Sequence, residues 1–368
     1  MLQAKRFCMI KSRHRIIFIG NHFGEPRSGG EKYNFLLVNI LKKRQYWVAV
    51  ITDTDIPVIM KGNIVLYNIW YVVKLFNFRD SIILIDSRLH SRVFLFLMFV
   101  KMFTNNRILG TVHHLTWGQR KTVLFRAADR IIEKIFISCC DSIIVPSFYT
   151  LKSIKEISKT GKSVNIISPP ISAGMNDHKL PEIKNNKKVE ILFVGTVQKR
   201  KGIIYLVESL NYLRNKDYHL NIAGDLTFDT DYVKMLNKYI KENQLSEFVS
   251  FLGPLSEKEL HKQYLKADFF VLPSLHEGYG MSVVEAMKYG LPVIVTNVSA
   301  LPYIVKDKIN GMLVPPENSG AIAKAIDFMI ENPGERQRMS INAAKFSGNA
   351  NSEENVEEEF IKILESIK

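Results

Sequence analysis

Apolar runs of strand length alternate with longer segments of helical period along almost all of this 368-residue chain. That alternation restricts it to an α/β architecture with parallel sheets, since parallel neighbours must be joined by a crossover that is usually a helix. In the first half the runs are 15–20 (RIIFIG), 47–52 (WVAVIT), 64–67, 81–86 (SIILID), 108–112 and 141–145 (DSIIV), with a helix expected over 30–43. In the second half they are 190–195 (EILFVG), 219–223, 249–252, 269–272 (FFVL), 292–296 (PVIVT) and 312–314, separated by expected helices at 201–214, 229–243, 256–266, 281–289 and 319–331. Two doubly wound domains follow from this pattern, and 46% apolar residues give each enough material for a core. The polar, aperiodic stretch MNDHKLPEIKNNKK reads as the linker between them. The expected division is a first domain over 1–175, a linker over 176–188, a second domain over 189–348, and a helix over 349–368 that packs back on the first domain. Open α/β sheets bind ligands beyond the carboxyl ends of their strands, so a cleft between the domains is the expected site.

Charge is distributed unevenly. Residues 1–180 carry 27 Lys+Arg against 11 Asp+Glu, and 181–368 carry 23 against 25, so the excess of +14 belongs wholly to the first half. A polyanion is implied for that half: nucleic acid, an anionic membrane surface or a phosphorylated ligand. Nucleic acid is disfavoured, because the basic residues form no recognised motif and no stacking aromatics interleave with them on a polar face. The basic N-terminus lacks an apolar core of signal-peptide length, and the most apolar stretch, 93–100 (VFLFLMFV), falls well short of the ~20 residues needed to cross a bilayer. Cys8, Cys139 and Cys140 have no zinc-ligand spacing and suit a reducing compartment. A cytoplasmic protein is expected, peripheral on the inner face of a membrane. Within 119–134 (QRKTVLFRAADRIIEK), Arg126, Arg130 and Lys134 recur every four residues along one helical stripe, with Leu124, Ala127, Ile131 and Ile132 available for burial, so this stripe is the expected membrane-facing element.

The densest chemical signal is 271–296, VLPSLHEGYGMSVVEAMKYGLPVIVT. A strand ends at Leu272, a loop follows, and a helix begins near Met281, with Gly278 and Gly280 letting backbone N–H groups approach a ligand. A helix N-terminus at a sheet's carboxyl edge favours an anion, above all a phosphate. Glu277 and Glu285, with seven residues between them, are unsuited to a phosphate and point instead to paired hydroxyl groups, those of a ribose or a hexose.

Glu277-Gly278-Tyr279-Gly280, then Glu285-Ala286-Met287, then Gly290 and Pro292, resemble the sugar-nucleotide motif of the retaining glycosyltransferases of the GT-B fold, family four. The resemblance runs from Ile191 to Thr196 through Lys201-Gly202, residues 222–225, 251–253 and 310–315, and covers most of 189–345. It implies two Rossmann-like domains, a nucleotide-diphosphate-sugar donor and no further cofactor. By the same resemblance Lys201 neutralises the donor diphosphate, Glu285 binds the ribose, and Glu277 holds hydroxyls of the transferred sugar. Gly278, Tyr279, Gly280 and Met281 lie along the sugar and phosphates. Many members have arginine where this chain has Thr196, whose hydroxyl can bond a phosphate oxygen while Lys199 or Arg200 supplies charge. Tyr303 stands where many members have glutamate.

In the first half, Gly29 and Gly30 resemble the glycine pair that approaches the donor phosphate and acceptor. A nucleoside-triphosphate loop over Gly24 to Gly30 is excluded, since its lysine and Ser/Thr are absent. His113 occupies the place of the family's histidine beside the reacting sugar, with His114 its rival. Glu31 and Asp86 are candidate nucleophiles by location only. The implied reaction is transfer to a hydroxyl of a glycan or lipid-linked acceptor with retained configuration, the attack coming on the same face of the sugar. No Asp-x-Asp pair is placed on a loop of the expected cleft, so no metal is expected. A nucleotide-sugar epimerase of similar fold and a non-catalytic sugar-nucleotide-binding relative are the alternatives.

Overall fold

The computed structural model describes residues 15–20, 28–52, 55, 64–75, 80–115, 123–158, 161–170, 188–213, 217–347 and 351–367. The chain divides into two compact units, residues 1–169 with 354–368, and residues 170–353. The expected linker lies outside the described residues but for Lys188, as do Cys8 and Gly24.

Each unit holds a six-stranded sheet. In the first unit the strands are β1 (Arg15–Gly20), β2 (Trp47–Thr52), β3 (Ser81–Asp86), β4 (Arg107–Thr111), β5 (Ser142–Val145) and β6 (Ser163–Ile166), all parallel, in the order β2-β1-β3-β4-β5-β6. Both faces of this sheet are covered, which is why β1 and β3 are apolar at successive positions instead of alternate ones. On one face Ile17, Ile19, Ile83 and Ile85 meet Trp70, Tyr71, Phe96, Leu97 and Phe136 from the helices Ile64–Leu75, His90–Phe103 and Val123–Cys139. On the other, Ile16, Phe18, Ile82 and Leu84 meet Leu37 and Leu41 of helix Gly29–Lys43, together with Val356, Phe360 and Leu364 of helix Glu353–Ser366. The C-terminal helix therefore completes the core of the first unit. Its buried Glu357 accepts hydrogen bonds from Lys43 Nζ (2.7 Å) and Arg44 Nε.

Residues 64–67 correct the strand expected there: they open helix Ile64–Leu75. The run continues through twelve residues without a glycine or proline, and Tyr67, Trp70 and Tyr71 are buried at helical spacing while Leu66, Ile69 and Val73 are exposed. A short apolar run fits either period, and only its continuation decides. Edge strand β6 was not anticipated, because its residues are polar or exposed at both ends and leave no apolar run to read.

The second unit contains β7 (Val189–Val194), β8 (Tyr218–Ala223), β9 (Val249–Gly253), β10 (Phe269–Leu272), β11 (Val293–Thr296) and β12 (Gly311–Val314), parallel, in the order β12-β11-β10-β7-β8-β9. Helix Glu257–Lys266 starts in a full capping box made by Ser256 and Glu259. Strand order runs outward in both directions from the β7/β10 pair in this sheet and from the β1/β3 pair in the other. These are topological switch points, where the loops leaving adjacent strands diverge and open a crevice.

Candidate active site

At the β7/β10 switch point the loops after both strands meet. The one after β7 tightens into a 3-10 turn, Lys199–Lys201, closed by Gly202 at φ +65. A Cβ at Gly202 would lie 2.1 Å from the carbonyl oxygen of Pro273, so glycine alone allows the turn to lie against the segment leaving β10. Leu275 N donates to Arg200 O at 2.8 Å and fastens the two loops together.

This junction delivers Lys201 to Glu277. Lys201 Nζ donates to Glu277 Oε2 at 2.8 Å, Ser274 Oγ donates to the same oxygen at 3.1 Å, and Arg200 Nη1 lies 3.7 Å from it while donating to His276 O. The Lys201 and Glu277 side chains are only 11% and 12% exposed, so their charges interact in a shielded place. Burial pushes the Glu277 carboxyl up, but Lys201 and Arg200 outweigh it and hold the group at about 2. Burial lowers Lys201, and Glu277 restores part of that loss. Gly280, at φ +92, then turns the chain into helix Met281–Lys288, whose first N–H groups have no intrahelical acceptor by geometry. Cations, one ionised carboxylate and a helix start thus stand together at the strand ends, as a ligand carrying phosphate and hydroxyl groups requires.

Glu285, one turn into that helix, is partly buried and accepts a hydrogen bond from Tyr264 Oη at 3.0 Å. Tyr264 is stacked on Tyr289 with ring centroids 4.7 Å apart, and Tyr289 Oη is 2.7 Å from His261 Nδ1. Burial and the Glu285 carboxylate both push the Tyr264 hydroxyl up, so it remains a donor.

In the first unit, residues from helix Gly29–Lys43, the end of β3 and the segment after β4 converge. Asn34 Nδ2 donates to Asp86 Oδ2 at 2.7 Å, which turns Asn34 Oδ1 toward His113 Nε2 at 3.1 Å. An amide oxygen only accepts, so His113 carries its proton on Nε2. Asp86 is fully buried, and it takes further bonds from the backbone N–H, Nε and Nη2 of Arg88. Arg88 Nη1 also reaches Glu31 at 3.3 Å. Burial raises the Asp86 carboxyl, but Arg88 outweighs it and the group ends below its usual range. Glu31 and Asp86, both candidates by location, are thus the two carboxylates that hold Arg88, and neither stands as an uncommitted nucleophile. A Cβ at Gly30 would lie 3.4 Å from the His113 ring, so the glycine gives the imidazole its place. Between the rival histidines, His113 is the one built into this network; His114 is half-buried beside it.

Burial pushes the His113 imidazole from 6.5 down to about 4, with partial restoration by Asp86; His276 is likewise lowered to about 4 by burial and by Arg200. The unfolded chain binds these protons more readily than the folded one, so folding stability falls as pH drops from about 6.5 toward 4. Nitrogen-15 NMR is expected to show His113 neutral, with the proton on Nε2, throughout pH 5.5–8 (a range set roughly by these values). Titration near 6.5 would contradict the network.

Of the residues expected at the site, Thr196, Arg200, Lys201, Glu277, Gly278, Tyr279, Gly280, Met281 and Glu285 lie in the second unit, and Gly29, Gly30 and His113 in the first. Arg126, Arg130 and Lys134 are exposed on helix Val123–Cys139; Leu124 lies outside the described side chains. Sequence reading missed Asn34, Arg88 and Tyr264, whose partners lie 52, 2 and 21 positions away. An Asp-x-Arg at the end of a buried strand was the one available signal.

Residues 176–346 match the family model of glycosyl transferases group 1. A protein from the cps region of Klebsiella pneumoniae is 32% identical over 53% of this chain and 54% of its own length. The chain spans about half the length of the curated relatives it matches. Sucrose-phosphate synthase from Thermosynechococcus elongatus superposes with a TM-score of 0.78 at 19% identity, covering 96% of this chain and 99% of that one. Anabaena HepE, solved with UDP and glucose, superposes with a TM-score of 0.75 at 16% identity over 96% of this chain and 100% of its own. The two Rossmann-like units have the GT-B fold of these neighbours, and the segment of this chain that carries Glu277 to Met287 lies within the residues that match the glycosyl transferases group 1 model.

Proposed function

We propose that this protein transfers a sugar from a nucleotide-diphosphate sugar to a hydroxyl of a glycan or lipid-linked acceptor, with retention at the anomeric carbon and without a metal ion, in cell-surface polysaccharide or glycolipid synthesis. The observation that carries the reading is the shielded Lys201–Glu277 pair beside Arg200 and the start of helix Met281–Lys288. When the bond from the anomeric carbon to the diphosphate breaks, its electron pair goes to the phosphate oxygen. Lys201, Arg200 and the helix start meet that growing charge, which is the place where fixed cations and dipoles accelerate a reaction most. Glu277 takes hydroxyls of the sugar, and Glu285 those of the ribose. The acceptor oxygen bonds to the anomeric carbon on the face the diphosphate leaves, and its proton passes to the departing phosphate. This course suits a first unit whose Asp86 and Glu31 are committed to Arg88. His113, neutral and held by Asn34, would stand beside the sugar as a hydrogen-bonding group.

The protein is further read as cytoplasmic and peripheral on an anionic membrane face, supported by the basic first half and by the exposed Arg126, Arg130 and Lys134. Among the described residues no helix is long and apolar enough to cross a membrane.

The test is a screen of UDP-, GDP- and ADP-sugars, UDP-glucose first, for thermal stabilisation and then for acceptor-dependent release of the nucleoside diphosphate. Turnover is expected to be the same in EDTA, and the product anomer to match that of the donor. Epimerised sugar nucleotide without nucleoside diphosphate release would establish the epimerase alternative. Loss of turnover in EDTA with recovery in manganese would overturn the metal-independent route.

A further inference from the structure

Among the described residues, the first unit leaves an apolar layer uncovered. Helices Ile64–Leu75, His90–Phe103 and Val123–Cys139 all turn their buried rows into the same cluster on one face of the sheet, so their opposite rows look outward from one layer. They are neighbours within it: Tyr71 and Phe96 have ring centroids 5.7 Å apart, Asn68 Oδ1 accepts from Phe96 N at 2.8 Å, and the third helix packs beside the second. The outward rows are Leu66, Ile69 and Val73 on the first helix, then Leu95, Met98 and Met102 on the second, each set spaced i, i+3, i+7. Ile69 is 50% exposed, Val73 61% and Met102 70%; Phe103 and Ile131 are exposed beside them. A surface helix of a soluble domain normally turns a polar face to water, and these two are apolar on both sides.

Charge decides what covers this layer. The first two helices contain no acidic residue, and their cations are Lys74, Arg92 and Lys101. Lys74 and Arg92 lie over the rings of Trp70 and Tyr67, and Lys101 is bonded to Asp141. On the third helix Arg126, Arg130 and Lys134 are exposed, whereas Asp129 is half-buried and Glu133 buried. On this third helix the bases face outward and the acids inward. A second copy of the chain docked on this face would set cation against cation.

We propose that the outer face of this three-helix layer inserts into the headgroup–acyl boundary of an anionic bilayer leaflet, with Leu66, Ile69, Val73, Leu95, Met98 and Met102 as the inserted side chains. The proposal rests on the peripheral-membrane reading above and moves its centre from the Arg126–Arg130–Lys134 stripe, now the basic flank, to the neighbouring apolar rows. Insertion by such a face reaches about 5–10 Å and needs both apolar contact and attraction to anionic lipid.

Co-sedimentation with phosphatidylcholine vesicles, with and without phosphatidylglycerol, tests it on the full chain. Wild-type protein is expected to bind the anionic vesicles, and I69D/M102D to lose roughly tenfold or more in partitioning with an unchanged melting curve, since both side chains are exposed. R126Q/R130Q/K134Q is expected to weaken binding most at low salt. Wild-type binding that I69D/M102D leaves intact overturns this face and keeps the membrane reading. No binding to either vesicle overturns both and leaves sugar transfer to a soluble acceptor untouched. A dimer that I69D/M102D dissolves, without vesicle binding, assigns the face to self-association and overturns the proposal.

Discussion

Replacing Lys201 by alanine is expected to lower sugar transfer roughly 10²–10³-fold, the loss of about 3–4 kcal/mol of stabilisation at the departing diphosphate. The effect is large because the Lys201 side chain is about nine-tenths enclosed and its charge cannot be replaced by water at equal strength. The same substitution strips Glu277 of its nearest cation, leaving only Arg200 at 3.7 Å. Breaking a buried pair on one side destabilises by about 3–5 kcal/mol, and the remaining arginine places this case at the low end. K201A/E277Q separates the two effects: removal of both charges is expected to restore most of the melting temperature while transfer stays lost. Recovery of activity together with stability would make the pair a structural feature and remove Lys201 from the chemistry. The Glu277 contribution to stability is present above the carboxylate's unfolded value near 4.5 and fades as pH falls through about 2, so acid unfolding of the second unit is expected to be blunted in E277Q.

Glu285→Ala is expected to raise the KM for the donor and reduce kcat/KM by about two orders of magnitude, as removal of a partly buried acceptor from two hydroxyl groups does. Tyr264→Phe takes away only the hydroxyl that holds Glu285, at 3.0 Å. It is expected to raise KM by about fivefold to tenfold, consistent with one hydrogen bond to a charged group, and to leave kcat nearly unchanged. A Tyr264→Phe variant with normal KM would show that helix Met281–Lys288 alone orients the carboxylate.

The parts legible in the sequence are those whose causes are local. β1, β3, β10 and β11 announce themselves because a strand buried on both faces has to be apolar at every position. The segment from Glu277 to Glu285 is legible because its two glutamates, its glycines and its helix start lie within one short stretch leaving one strand. Helix Ile64–Leu75 was hidden by being apolar on both sides, so that period-2 and helical readings fit its first turn equally. Its outward row is the same property seen from the surface. The Asn34–Asp86–His113 network was illegible for a different reason: helix Gly29–Lys43, β3 and the segment after β4 contribute one residue each, and only parallel pairing of β1, β3 and β4 brings them together. Tyr264 gave no sign of itself, because an aromatic on a helix in the middle of a domain reads as core.

The helix Glu353–Ser366 also imposes an order on synthesis. The second unit is made of consecutive residues and has all of its sequence once Glu353 has been added, but at that point the first still has Phe360, Leu364 and their neighbours missing from one side of its sheet. At ~5–20 residues per second, the nascent first unit waits on the order of 10–40 s with Leu37 and Leu41 lacking their last apolar partners. A ribosome that stalls shortly before Val356 would release a chain whose later-made half is finished and whose earlier-made half is open, a species for chaperones and proteases to find.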